Sequence, residues 1–200
     1  MRTTFTKSSI AKFLKNRDEV IKLNIGCGTD YKKGWINIDN NTDNNIEKLD
    51  LNWDLRNRLP FDEGSVDFIY SEHFFEHLTP EEAHKTIQDL MILLKPGGVM
   101  RIAMPDLEVV VNNYLNTPLS KDPVIKTYKI DFIKTRAEWM NMSFRWWGHK
   151  WLYDYEELQR RLKDAGYTKV VRCKINESKH PELRKIESRP ESYLIAEVTR

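Results

Sequence analysis

The sequence predicts an α/β fold with a doubly wound, mostly parallel sheet and an antiparallel edge strand towards its C-terminal end. Three observations predict it. Short β-rich runs alternate with helical patterns, which is typical of parallel sheets with right-handed crossovers. The first run stops at the glycine turn Gly26-Cys27-Gly28, and Gly97-Gly98 separates a predicted helix from the next strand. Finally, 200 residues are enough for one domain with one core.

The predicted strands are short runs rich in β-branched and alternating apolar residues. They cover residues 20–25, 35–39, 46–51, 66–70, 99–104, 169–174 and 192–198. The last two can pair with each other as antiparallel strands. Ligands of parallel sheets bind beyond the carboxyl ends of the strands, so the residues that follow the first five strands are the candidates for a site.

The clearest predicted helix runs from residue 80 to 94, because Thr79 is a suitable N-cap, Pro80 suits the first position and Glu82 the third. Further helices are predicted over residues 106–115 and 154–165, the latter stopped by Gly166. An apolar stripe within residues 10–17 predicts that residues 1–19 form an N-terminal cover helix.

Composition sets broad limits on function. A net charge of +2, spread over many charges of both signs, does not favour a nucleic-acid partner. Cys27 and Cys173 lie too far apart to indicate a disulfide framework or a zinc motif. We expect a cytoplasmic protein without a transmembrane segment, since no apolar run approaches the roughly 20 residues that span a bilayer.

Gly26, Gly28 and Asp39 are the first candidates for a ligand site. Two glycines one residue apart allow a tight turn and close approach of a ligand to the backbone, although an ordinary strand-to-helix turn is the alternative. Asp39 ends the second predicted strand, where a carboxylate can accept hydrogen bonds from ribose hydroxyls. Tyr31 stands where a dinucleotide motif would place a third glycine. A nucleoside cofactor without pyrophosphate is therefore predicted.

Several motifs follow one another in a characteristic order. They are LNIGCG at 23–28, GWINID at 34–39, DL at 54–55 before LPF at 59–61 and SVD at 65–67, EHL at 76–78 and LKPGG at 94–98. Together they resemble the type 11 family of class I methyltransferases over roughly residues 20–106. The resemblance implies a Rossmann-like sheet, one methyltransferase domain over residues 1–200 and S-adenosylmethionine as cofactor.

The resemblance also implies where that cofactor lies. Gly26, Cys27 and Gly28 would pass beneath its methionine and ribose portions, and Asp39 would accept hydrogen bonds from the ribose.

By the same resemblance, Asp54 would accept a hydrogen bond from the adenine amino group, and the backbone N–H of Leu55 would reach the ring. A helix N-cap is the alternative role for Asp54. Ser71 and Glu72 follow the fourth predicted strand, where the family places residues beside the sulfonium and the acceptor.

His73 is the predicted catalytic base, with Asp106 and His149 as alternatives and a structural hydrogen-bonding role as the other interpretation. A base is needed only if the acceptor begins as a hydroxyl or a protonated amine. Glu76 and His77 match a family pattern, or else form a helix turn tied to the neighbouring backbone. No metal is predicted, because the carboxylates near the presumed cleft show no ligand cluster of the kind that hard cations require.

An insertion over residues 116–153 is predicted to shape the acceptor site. An overlapping segment, residues 122–155, is rich in aromatic and basic residues, namely Trp139, Phe144, Trp146, Trp147, Trp151, Tyr153, Arg136, Arg145, His149 and Lys150. Such side chains suit stacking and cation–π contacts with a small molecule or a glycan. The alternative is that the tryptophans pack this segment onto the core.

Two other functions remain open at this point. One alternative is an inactive module that binds a nucleoside without transferring a methyl group. The other is an RNA methyltransferase. An inactive module predicts a damaged cofactor site, and an RNA methyltransferase predicts a continuous basic surface.

Overall fold

A seven-stranded sheet forms the centre of the protein in this computed structural model, which describes residues 20–41 and 46–200. The strands are β1 (Lys22–Ile25), β2 (Ile36–Asp39), β3 (Leu51–Asn52), β4 (Val66–Glu72), β5 (Leu94–Met104), β6 (Lys169–Arg172) and β7 (Leu194–Thr199). Their spatial order is β3-β2-β1-β4-β5-β7-β6. Neighbours among β1 to β5 are parallel, whereas β7 is antiparallel to both β5 and β6. The predicted sheet with its antiparallel C-terminal edge is confirmed.

The helices of the described ranges are α1 (Pro80–Leu93), α2 (Leu107–Asn116), α3 (Pro123–Tyr128), α4 (Arg136–Arg145) and α5 (Tyr155–Asp164). The predicted capping box of α1 is present. Thr79 Oγ1 accepts a hydrogen bond from the Glu82 amide at 3.2 Å, and Glu82 Oε2 accepts one from the Thr79 amide at 2.8 Å. No helix in these ranges combines the length and apolar character needed to cross a membrane.

Three predicted element boundaries differ from the structure. Strand β4 continues past residue 70, because Ser71 and Glu72 keep their pairing with β5. Strand β5 begins at Leu94. The prediction of a strand over residues 46–51 was wrong for residues 46–50. The backbone amide and carbonyl groups of Ile46 form hydrogen bonds with the side chain of Asn41 instead of with a neighbouring strand. The predicted cover helix at 1–19 lies outside the described residues.

The two faces of the sheet are covered differently. One face carries the main apolar core, to which α1 contributes Ile87 and Leu90 and α5 contributes Leu158 and Leu162. The opposite face is covered by residues 174–193, whose Leu183 and Ile186 pack on Tyr70 and Val99.

A buried cluster of charged side chains attaches residues 174–193 to the sheet. The Arg101 guanidinium, with no solvent exposure, binds the carboxylates of Glu187 and Glu197 and the carbonyl oxygens of Lys174 and Glu177. The sheet therefore holds residues 174–193 in place through β5, next to the carboxyl ends of the parallel strands.

Candidate functional site

A cavity of about 890 Å³ opens at the carboxyl ends of the parallel strands. Its wall contains residues that follow or end β1, β2, β4 and β5, as expected for this class of sheet. The residues predicted from the sequence that lie in that wall are Gly26, Gly28, Asp39, His73, His77, Asp106, Trp139, Trp146, Trp147 and His149.

The glycine turn and Asp39 are joined by a direct hydrogen bond. The Gly28 amide donates to Asp39 Oδ2 at 2.7 Å, and the Asn40 amide donates to Oδ1 at 2.6 Å. Gly26 has a φ of +62°, and a Cβ added there would lie 2.6 Å from the Cβ of Phe74. A Cβ at Gly28, with a φ of +51°, would meet nothing within 4 Å. The backbone at Gly28 is thus open to a ligand, beside a half-buried carboxylate, which fits a nucleoside.

Cys27, the middle residue of this turn, and Ser71, near the end of β4, are not part of the cavity wall. Burial, together with the Asp39 carboxylate, raises the pKa of the Cys27 thiol to about 12, so the thiol stays neutral. The Ser71 hydroxyl is fully buried and has no hydrogen-bond partner among the described residues. Neither side chain is positioned to touch a ligand in the cavity.

Asp54 and Leu55 also lie outside the cavity wall. Asp54 forms a bidentate pair with Arg56, whose Nη2 is 2.7 Å from Asp54 Oδ2, and this hydrogen bonding lowers the pKa of the carboxyl. The Leu55 side chain belongs to the main core, and its carbonyl oxygen accepts a bond from Thr86 at 3.4 Å.

Glu72 does not line the cavity; instead it anchors residues 188–192. Its carboxylate accepts hydrogen bonds from the amides of Ser188 and Arg189 and from the hydroxyls of Ser188 and Ser192. Burial alone would raise the pKa of Glu72, but the hydrogen bonds from the two serines outweigh it and lower that pKa. The carboxylate is therefore saturated with donors and holds the segment that carries Arg189 and Glu191 into the cavity wall.

His73 sits in the cavity wall with only 6% of its side chain exposed. Its φ is +52°, and its amide donates to the Ala103 carbonyl oxygen at 2.9 Å, which holds it against β5. Nδ1 lies 3.2 Å from Glu76 Oε1, and Nε2 lies 3.2 Å from Ser192 Oγ. Both ring nitrogens thus face polar partners.

Asp106, one alternative base, has a structural role. Its carboxylate caps α2 by accepting the Glu108 amide at 2.9 Å, and it accepts Arg172 Nη2 at 2.9 Å from the edge strand β6. Burial raises the pKa of Asp106. These contacts tie α2 to the sheet.

A group that the sequence analysis did not assemble consists of Glu76, His77 and His149. One ligand atom from each residue lies within 4.8 Å of those of the other two, and both histidines line the cavity. The prediction that no metal binds concerned carboxylate clusters for hard cations, and it stays a prediction. Glu76 and His77 are adjacent in the sequence, but nothing in it placed His149 beside them.

The aromatic residues of the predicted insertion divide into two groups. Trp139 and Tyr153 are buried, although Trp139 also contributes to the cavity wall, and Trp139 Nε1 donates to Asp122 Oδ2 at 3.0 Å. Trp146 and Trp147 are exposed, stack on each other with ring centroids 5.5 Å apart, and line the cavity. Phe132 packs edge-on against Trp146 in the same wall. Both alternatives from the sequence thus hold, for different residues.

The basic residues of this segment mostly point elsewhere. Arg136 donates to the Tyr114 carbonyl oxygen at 2.7 Å, and Lys150 pairs with Glu82 at 3.1 Å. Trp151 packs beneath Arg161, outside the cavity wall.

The sequence analysis missed a second group of wall residues. Tyr128 donates its hydroxyl to the Glu191 carboxylate at 2.7 Å, and Arg189 and Tyr193 lie close by in the chain and in the same wall. Residues 189–191 precede the strand predicted over 192–198 and show no periodic pattern, so no sequence signal singled them out.

Comparison with known proteins gives the family. A family model described as a methyltransferase domain, Methyltransf_23, matches residues 3–171. The chain belongs to this methyltransferase family. The class I, S-adenosylmethionine-dependent methyltransferase expected from the motifs is thereby confirmed, with S-adenosylmethionine as its cofactor. No curated protein matches the sequence.

Solved structures of other methyltransferases share the fold. A SAM-dependent methyltransferase from Archaeoglobus fulgidus has a TM-score of 0.55 at 18% identity, covering 97% of this chain and 92% of that one. A protein from Thermotoga maritima, described as a possible histamine N-methyltransferase, has a TM-score of 0.51 at 15% identity, covering 96% and 86%. A Mesorhizobium loti methyltransferase has a TM-score of 0.52 at 13% identity, covering 96% of each. At these identities the likeness establishes the Rossmann-like methyltransferase fold.

Proposed function

We propose that this methyltransferase acts on a small-molecule or glycan acceptor that binds against the aromatic side chains of residues 116–153. The observation that carries the proposal is that one cavity is lined both by Gly26, Gly28 and Asp39 and by Trp146 and Trp147. Cofactor and acceptor can therefore meet in a shared space, which is what direct transfer requires.

Gly28 and Asp39 are the proposed contacts to the cofactor. The open side of Gly28 admits the ligand close to the backbone, and Asp39 accepts hydrogen bonds from the ribose hydroxyls. When bound, S-adenosylmethionine supplies a methyl carbon that accepts a lone pair from the acceptor while the C–S bond electrons return to sulfur. The protein's task is then to align the acceptor and exclude water.

The other predicted cofactor residues act indirectly in this proposal. Cys27 and Ser71 pack behind the turn, and Glu72 fixes residues 188–192. Asp54 and Leu55 shape the loop after β3, where the adenine would lie.

The charge of the cavity wall favours a neutral acceptor. Its carboxylate and guanidinium side chains are those of Asp39, Asp106, Glu191 and Arg189, three carboxylates against one guanidinium. A chain of phosphates would meet net negative charge there, which disfavours RNA. Flat indole faces beside acidic groups are instead typical of sites for sugars and other polyols.

His73 is the proposed base when the acceptor is a hydroxyl. Ser192 donates its single hydroxyl proton to Glu72 at 2.8 Å, so it faces His73 as an acceptor. Base action at Nε2 therefore requires that the contact between His73 and Ser192 opens and that the ring holds its proton on Nδ1, beside Glu76, instead of on Nε2. Replacing His73 with Gln is expected to lower kcat at least tenfold, with unchanged binding of S-adenosylhomocysteine.

The acceptor proposal is tested by screening sugars, glycosides and other hydroxylated metabolites for release of S-adenosylhomocysteine. Trp147→Ala is then compared with Trp151→Ala, since both indoles are exposed but only Trp147 lines the cavity. We expect Trp147→Ala to raise the acceptor KM about tenfold, the loss of one stacking contact of roughly 1–1.5 kcal/mol, and Trp151→Ala to leave it unchanged. Equal effects of the two substitutions would refute this placement of the acceptor.

The inactive-module alternative has a different signature. It predicts a damaged cofactor site, and therefore weak binding of S-adenosylmethionine together with no turnover on any acceptor.

A further inference from the structure

The carboxylate of Glu76 has an unusual environment. The residue is fully buried, and neither carboxylate oxygen accepts a hydrogen bond of good geometry from any described residue. Among the described residues, the one ion-pair contact of this carboxylate is with His73, whose Nδ1 lies 3.2 Å from Oε1. Removing an ionised carboxylate from water without donors costs several kcal/mol, so such a group persists where a positive partner compensates it.

Two imidazoles lie beside this carboxylate. The rings of His77 and His149 form an edge-to-face pair with centroids 5.0 Å apart, and the ligand atoms of Glu76, His77 and His149 all lie within 4.8 Å of one another. A small movement of the side chains would bring these atoms onto one ion, since metal–nitrogen and metal–oxygen bonds near 2.0–2.2 Å place neighbouring ligand atoms about 3–4 Å apart.

The backbone is built to bring His149 to this place. The carbonyl oxygen of Glu76 accepts hydrogen bonds from the amides of Lys150 at 2.7 Å and Trp151 at 3.2 Å. Just before them, Trp147 and Gly148 adopt positive φ values of 58° and 79°, which turns the chain back towards His77. A strained non-glycine residue of this kind is maintained by its surroundings and is often found at functional sites.

The hydrogen bonding of His149 also fixes the tautomer that ligation requires. His149 Nδ1 lies 2.8 Å from the carbonyl oxygen of Ser143 and donates to it, which leaves the lone pair of Nε2 available. A backbone carbonyl that accepts a hydrogen bond from the other ring nitrogen is the usual partner of a metal-bound imidazole.

We propose that Glu76, His77 and His149 bind a divalent transition-metal ion, of the zinc or cobalt class, in the wall of the cavity. Two imidazoles and one carboxylate match such ions, whereas Mg²⁺ and Ca²⁺ prefer oxygen ligands throughout. Three protein ligands leave a further position on the ion for an outside ligand. The next step rests on the proposed function. The free position on the ion would bind a hydroxyl oxygen of the acceptor, so we expect the acceptor to carry a hydroxyl group.

The test uses untagged full-length protein, stripped of metal with a chelator and kept free of S-adenosylmethionine. Equilibrium dialysis against Zn²⁺ and titration with Co²⁺, followed by its visible absorption, are expected to show one ion per chain, with no comparable binding of Mg²⁺. Glu76→Gln, His77→Asn and His149→Ala should each weaken binding at least tenfold. The matched control is His180→Ala, because the His180 ring packs on Phe68 on the opposite face of the sheet.

Circular dichroism accompanies each variant, and the three separate substitutions keep the test intact if one of them prevents folding. Absence of stoichiometric Zn²⁺ and Co²⁺ binding, or binding that the folded variants retain in full, would overturn the proposal. Calorimetry of S-adenosylmethionine on the same metal-free protein separates the two ideas. Cofactor binding without metal binding refutes only the metal site, whereas metal binding without cofactor binding refutes the proposed cofactor site.

Discussion

The two glycines of the turn after β1 should respond differently to the same added methyl group. In Gly26→Ala the new Cβ would lie 2.6–2.7 Å from three atoms of Phe74, and the residue keeps a φ of +62°. The left-handed backbone costs about 1–2 kcal/mol for a residue with a Cβ, and overpacking against a partly buried ring costs about 1–3 kcal/mol more. The expected loss of folding free energy is therefore about 2–5 kcal/mol.

In Gly28→Ala the backbone penalty is similar but the methyl group meets no protein atom within 4 Å. We expect a loss of only about 1–2 kcal/mol in stability. The methyl group would instead project into the space that the cofactor occupies, so affinity for S-adenosylhomocysteine should fall at least tenfold.

Denaturant unfolding and calorimetric titration of the two variants form the assay. We expect Gly26→Ala to lower the free energy of unfolding more than Gly28→Ala does. We expect Gly28→Ala to lower the affinity for S-adenosylhomocysteine by more than its small loss of stability explains. Equal losses of stability, or a Gly28→Ala protein that binds the cofactor normally, would refute the reasoning.

Three further changes test the fold around the site. Arg101→Met should lower the free energy of unfolding, measured in denaturant, by about 3–5 kcal/mol, because it leaves two buried carboxylates without their cation. A loss below about 1 kcal/mol would contradict this. Leu162→Ala should cost about 2–5 kcal/mol, since the side chain is fully buried in the main core, and an unchanged midpoint would contradict it. Glu72→Gln should cost about 2 kcal/mol at neutral pH through the loss of charge-assisted hydrogen bonds.

The Glu72 prediction has a defined pH dependence. Because the folded pKa of Glu72 is lowered, its contribution is complete above the ordinary value of 4.5 and is lost as the pH falls through the folded pKa. The difference in stability between wild type and Glu72→Gln should therefore shrink on acidification below pH 4.5. A difference that is constant from neutral to acidic pH would show that the carboxylate is not the cause.

Local sequence rules were sufficient for most of the fold. The capping box at Thr79 and Glu82 and the glycine turn before Asp39 depend on neighbouring residues alone, and the structure contains both. The end of β4 was misjudged because the apolar run stops at Tyr70, although backbone pairing with β5 carries the strand through two polar residues. Glu72 therefore lies in a strand, and its carboxylate faces the covering segment rather than the cavity.

The site was less predictable, because its parts come from distant segments. Aromatic content identified a segment that lines the cavity, but it did not distinguish the buried Trp139 from the exposed Trp147. The grouping of His149 with His77 depends on backbone hydrogen bonds to Glu76 that no short-range pattern reports. Tertiary contacts of this kind decide which polar residues meet.

The most direct test of the central claim is calorimetric titration of the protein with S-adenosylmethionine and S-adenosylhomocysteine, comparing Asp39→Ala with Asp62→Ala. Asp39 ends β2 in the cavity wall, whereas Asp62 lies exposed in the turn before β4. The account predicts micromolar binding that Asp39→Ala weakens by at least tenfold, about 1.4 kcal/mol, and that Asp62→Ala leaves unchanged. Binding to neither ligand by the folded protein, or equal affinity in the two variants, would contradict it.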